Sequence, residues 1–92
     1  MDYQIIDDVI ISTGSIDKEF EVIDTIVALS TVLGGYDPDE AFEKAKHGLA
    51  EKCRSLGGNA VLNCQFDYRV PDSLFCFGVL DVFAYGTAVK IV

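Results

Sequence analysis

Ile5, Ile6, Val9, Ile10 and Ile11 crowd β-branched side chains into the run from Ile5 to Thr13. Such residues lose rotamer freedom in a helix and suit a pleated surface, so the run predicts one strand, broken by Gly14-Ser15. A second strand is expected from Glu19 to Leu33. Phe20, Val22, Asp24, Ile26 and Ala28 would share one face, and Ile23, Thr25, Val27 and Leu29 the other. Both faces are mainly apolar, whereas a strand covered on one side alternates more cleanly. This strand is therefore expected to be covered twice, by a helix and by something else.

Gly34-Gly35 mark a turn, and Asp37-Pro38-Asp39-Glu40 is a helix start. Asp37 can cap, Pro38 suits the first helical position, and Glu40 completes a capping-box spacing. The helix should run to about Leu56, with Gly57 or Gly58 in a left-handed C-terminal cap. Phe42, Ala45, Leu49, Cys53 and Leu56 fall on one stripe that should face the sheet. Ala41, Gly48 and Ser55 form a second row of small residues. Gly48 costs about 1 kcal/mol relative to Ala in a helix interior. The row is either tolerated surface or a flat flank that admits another backbone, such as a neighbouring subunit's.

The third strand alternates: Ala60, Leu62, Cys64, Phe66 and Tyr68 on one face, Asn63, Gln65 and Asp67 on the other. Arg69 to Gly78 contains Val70-Pro71-Asp72-Ser73, a turn with Pro at its second position. The last strand, Val79 to Ile91, holds consecutive apolar Val82, Phe83, Ala84 and Tyr85, so it is buried on both faces or lies at an interface. Gly86 within it suggests a close backbone approach or a bulge. The fold expected is α+β in the order β-β-α-β-β: one small antiparallel-rich sheet with a helix packed on it, forming a single domain over residues 1–92.

Size sharpens this picture. A chain of 92 residues hides only about 60–65% of its unfolded surface, yet half of its residues are hydrophobic. A small domain with more apolar surface than it can cover tends to cover the rest against a partner. Self-association is expected on that ground, with Val82, Ala84, Gly48 and Ser55 as the interface candidates. A net charge of −8 argues against nucleic acid and against an anionic membrane surface, since both need clustered basic side chains. The opening Met1-Asp2-Tyr3 shows no signal pattern, and the apolar stretches are short and interrupted by Asp24 or Asp81. Cys53, Cys64 and Cys76 form no CxxC pair and no even set, which suits reduced thiols in the cytoplasm.

Candidate chemistry is sparse. Cys53 on the helix stripe and Cys64 on an apolar strand face could approach each other as soft-metal ligands. They could equally be small core residues, and a structural zinc site needs four ligands. Cys76 is expected near a hairpin tip, away from both. His47 lies opposite the core stripe between Glu43 and Glu51, as a metal ligand, a base or a solvated side chain. Asp24 and Asp81 sit in apolar strands and need hydrogen-bond partners. As a pair they could do acid–base work; alternatively they face solvent, line a wet pore or accept backbone N–H groups. Neither glycine pair has phosphate-loop spacing, and no nucleophile elbow is present.

Three pieces taken together, Cys53-Arg54-Ser55-Leu56-Gly57-Gly58-Asn59-Ala60-Val61, Phe66-Asp67-Tyr68 and Val79 to Lys90 with its Ala84-Tyr85-Gly86-Thr87-Ala88-Val89, resemble the YbjQ-like or UPF0145 family, which carries a heavy-metal-binding label. The resemblance covers the C-terminal half closely and Ile5 to Gly35 in outline. It implies a dodecin-like subunit assembled into a ring, most often a homopentamer. The function expected is a non-enzymatic ring-forming domain that holds a small ligand at subunit interfaces or in its pore. The alternatives are a soft-metal binder using Cys53 and Cys64, and a small enzyme with an intersubunit site. No cofactor is expected, apart from a metal in the first of these alternatives.

Overall fold

A computed structural model describes residues 3–32, 38–69 and 80–92. The expected turns at Gly34-Gly35 and Val70 to Ser73, the Asp37 cap and Cys76 lie outside the described residues. The elements are β1 (Tyr3–Ile6), β2 (Val9–Ser12), β3 (Phe20–Val32), α1 (Pro38–Ser55), β4 (Ala60–Arg69) and β5 (Leu80–Ile91). They form one α+β layer pair, with the helix on a five-stranded sheet of order β1-β2-β4-β5-β3. All neighbours pair antiparallel except β2 and β4, which run parallel over Ile10↔Ala60 and Ile11↔Val61. Among the described residues, no helix is long and apolar enough to cross a membrane.

The single strand expected from Ile5 to Thr13 is in fact the hairpin of β1 and β2, so the order is β-β-β-α-β-β. Ile6 pairs with Val9, and the two residues between them, Asp7 and Asp8, have φ of 50° and 66°. Two left-handed residues in a two-residue loop match the twist of a hairpin, and Asp tolerates that region better than a β-branched residue does.

The helix ends as its glycines require. Gly57 sits at φ 85°; its N–H donates to the Arg54 carbonyl at 3.0 Å and the Gly58 N–H to the Cys53 carbonyl at 2.9 Å. These are the two bonds of a Schellman cap. A Cβ at Gly58 would stand 2.7 Å from Cys53 Sγ and 2.9 Å from the Val89 carbonyl oxygen, so the chain can pass from helix to sheet only at glycine. Ala45, Leu49 and Cys53 of the expected stripe are fully buried, and Phe42 meets the Phe66 ring edge-on at 5.8 Å. Leu56 departs from the stripe and is 45% exposed, because it follows the last helical residue, where the backbone turns away.

Two bulges overturn the simple face assignments. In β4 the register slips between Leu62 and Gln65, where Asn63 adopts φ 54°. An extra residue in a ladder reverses every side chain beyond it. Val61, Cys64 and Phe66 therefore face the helix, while Ala60 and Leu62 join Val89 in a second cluster on the outer face. A slip between Val22 and Asp24 does the same to β3. Beyond it Ile26, Ala28 and Ser30 are buried on the helix side; Val27 and Leu29 are exposed on the outer face.

Candidate functional site

The structure brings Cys53 and Cys64 into the same core cluster beneath the helix, both buried as free thiols. Cys53 donates to the Ala60 carbonyl at 3.3 Å and Cys64 to the Val61 carbonyl at 3.5 Å. Burial pushes both thiols up, Cys64 to about 11, outweighing the Ser12 backbone hydrogen bond that lowers it; the neighbouring Cys53 raises it further. At neutral pH both are protonated donors, not thiolates.

His47 is not held between Glu43 and Glu51. Its Nδ1 lies 2.9 Å from an Asp7 carboxylate oxygen, so it joins the helix to the β1–β2 turn. Lys46 adds a parallel link, donating to Gln4 at 3.0 Å. Asp24 and Asp81 are not a pair. They occupy opposite ends of the β3–β5 ladder, opposite Ala88 and Thr31 respectively. Asp24 is exposed and accepts the Thr25 N–H at 2.8 Å. Asp81 is buried and accepts from Thr31 Oγ1 at 2.8 Å and Arg69 at 3.0 Å. The Thr31 bond, then the Arg69 bond, hold its carboxyl below the usual range.

Of the four interface candidates, Val82 and Ala84 are fully buried under the helix within one chain. The expectation that they face a partner is corrected: the helix already covers that side of β5. Gly48 does allow a close approach, but to its own sheet; a Cβ there would stand 3.1 Å from Ala28 Cβ. Gly48 and Ser55 line one wall of a groove of about 480 Å³ between the helix and β3. There Lys52 reaches across and donates to the Val27 carbonyl.

Sequence reading missed a second concavity. A cleft of about 530 Å³ opens on the outer face, between β2 and the segment from Thr13 to Lys18. Its signal was Ile16, a lone apolar residue in a polar stretch after Gly14-Ser15.

The family model described as "Putative heavy-metal-binding" matches residues 4–92. A UPF0145 protein of Methanosarcina acetivorans is 36% identical, with 74% of this chain and 66% of the relative covered. One from Clostridium novyi is 38% identical, with 74% and 68% covered. The chain belongs to the UPF0145 family. It spans about two thirds of the length of these UPF0145 relatives. A crystal structure from Pediococcus pentosaceus, of a protein of unknown function in the DUF74 family, superposes with a TM-score of 0.81. It is 23% identical, with 91% of this chain and 98% of that chain covered, and it shows the same fold.

The heavy-metal description can be tested on the donor set of this UPF0145 chain. Among the described residues no group of three or more His, Cys, Asp or Glu side chains could hold a metal ion. Cys53 and Cys64 are protonated, turned to carbonyls and hemmed in by the backbones of Gly58 and Gly86. They do not fit a four-ligand site.

Proposed function

We propose that this UPF0145 domain is a non-enzymatic, self-associating building block of the cytoplasm. Copies meet through the outer face and free edge of β3 and close into a ring, of five subunits in the form the family resemblance implies. Small ligands would sit in the clefts or pore between them. One observation carries the reading. On β3, an edge strand of 13 residues, Val22, Val27 and Leu29 are 66%, 50% and 60% exposed. Tyr85 stands beside Val27, and Phe83 beside Leu29, on the same face. Burying a Val or Leu side chain is worth about 1.5–3 kcal/mol, so the patch of Val27, Leu29, Phe83 and Tyr85, with Val22 beyond Thr25, favours coverage. Among the described residues the edge leaves backbone groups without a strand partner, which invite another strand, except at Val27, whose carbonyl Lys52 occupies. Native mass spectrometry after purification without added metal reports subunit number and any bound mass together. A discrete oligomer supports the proposal; a single-chain mass refutes it.

The second reading, a soft-metal binder, is favoured by the family's description and by two thiols in one core. Loading it requires removing both protons and opening the packing around Gly58 and Gly86. Soft-metal binding that survives Cys53→Ala and Cys64→Ala together would eliminate this reading.

A further inference from the structure

The geometry points to the outer-face cleft beside β2 as a binding site for a small, largely apolar molecule that carries one anionic group. The cleft's volume of about 530 Å³ lies within the usual range for ligand sites, roughly 300–1,000 Å³. Its floor is Ile10 and Ile16, which lean on the buried Ala60, Leu62 and Val89 but remain half-open themselves.

The wall opposite β2 is held in place. Gly14 N–H donates to Ser12 Oγ at 3.2 Å, Asn63 N–H to the Gly14 carbonyl at 3.0 Å, and Val92 N–H to the Glu19 carbonyl at 3.1 Å. The second bond comes from the β4 bulge, so the irregularity that reverses the strand's faces also anchors the cleft. A preformed wall saves the ligand the cost of ordering it.

Charge decides the ligand class. Tyr3, Thr13, Ser15 and Lys18 can all donate hydrogen bonds toward the cleft, and Asp17 is the lining's one carboxylate. Lys18 is the lining's one cation, and like Lys52, Arg54 and Lys90 it has no ion-pair partner among the described residues. A rim rich in donors with one ammonium, unpaired among the described residues, suits a carboxylate or sulfonate on an aromatic or aliphatic body. The cleft lies on the β2 side of the sheet and the bare β3 edge at its far end, so this site does not depend on self-association.

The probe is anilinonaphthalene sulfonate, titrated by fluorescence against the full chain beside N-phenylnaphthylamine, its uncharged analogue. Lys18→Glu should weaken the sulfonate by about fivefold, the scale of reversing one exposed charge, and leave the uncharged dye unchanged. Ile16→Trp, which fills the floor, should weaken both, and Leu29→Gln should weaken neither. On the wild-type chain, amide shifts on adding the sulfonate should cluster at residues 10–18 and at Asn63. Shifts confined to residues 27–29 and 83–85 would overturn the site. So would sulfonate binding indifferent to Lys18→Glu and Ile16→Trp, or no saturable binding.

Discussion

The outer face of the sheet has two ends that the chain treats differently. Around β4, Ala60 and Leu62 with Val89 of β5 are at most 1% exposed, because Ile16 from the segment after β2 and Phe20 at the very start of β3 pack against them. Along β3, Val27 and Leu29 on the same face are 50% and 60% exposed, with Tyr85 of β5 at 38% beside them. Strand β5 contributes to both ends, so composition does not separate them. A short segment after β2 reaches one end and nothing in the described chain reaches the other. Apolar sheet is thus shielded in cis where the described chain doubles back and left exposed where it does not, and the proposed self-association would cover the second part.

The sharpest way to break that contrast is a matched pair of charges. Leu62→Asp places a carboxylate in a fully covered cluster, a change in the range of 4 kcal/mol or more; it should abolish the cooperative melt. Leu29→Glu on the bare end should leave the circular dichroism spectrum and a cooperative melt intact, lowering the melting temperature only by the contribution of contacts to a copy. If both variants unfold, or neither does, the two ends are not different. Val82→Asp should behave like Leu62→Asp, because Val82 is core beneath the helix.

A smaller effect probes the close packing behind both ends. A Cβ at Gly86 would stand 2.7 Å from Val61 Cγ1 and 3.1 Å from the Leu62 carbonyl oxygen. Gly86→Ala should cost about 1–3 kcal/mol by overpacking, read as a lower urea midpoint with an unchanged slope.

Much of the fold was legible because local chemistry and global placement agree. Pro38, Asp39 and Glu40 start the helix, Gly57 and Gly58 end it, and Ala45, Leu49 and Cys53 bury as their spacing requires. What escaped were single residues that reset a period. Asp7-Asp8 turn a run of β-branched residues into a hairpin, and the bulges at Asn63 and near Ile23 reverse side-chain direction mid-strand. Apolar periodicity carries no mark of such slips, because apolar residues follow on both sides of each. For the same reason Val82 and Ala84 read as interface although they pack under the helix, while Leu29 read merely as one face of a strand. Cys53 and Cys64 share one core cluster, within the approach their spacing allowed; their protonated state depends on burial, which the sequence does not display.

Titration gives the smallest and most local tests. Cys64 titrates at about 11 when folded against 9.0 unperturbed. A raised value means stability is fully present below 9 and is lost as pH rises toward 11, on the order of 2 kcal/mol. Cys64→Ala should flatten that alkaline decline in chemical-denaturation curves. Asp81 runs the other way. Its lowered value means stability present above the ordinary carboxylate range, about 4, and lost as pH falls below it. Asp81→Asn should shrink the acid-side loss while leaving the alkaline limb unchanged.

The most direct measurement is the light-scattering mass of the wild-type chain and Leu29→Glu across a dilution series. The expected result is a discrete multiple of the single-chain mass for wild type, and a folded single chain for Leu29→Glu. A wild-type chain that is folded and single at every concentration would contradict shielding of the β3 face by another copy.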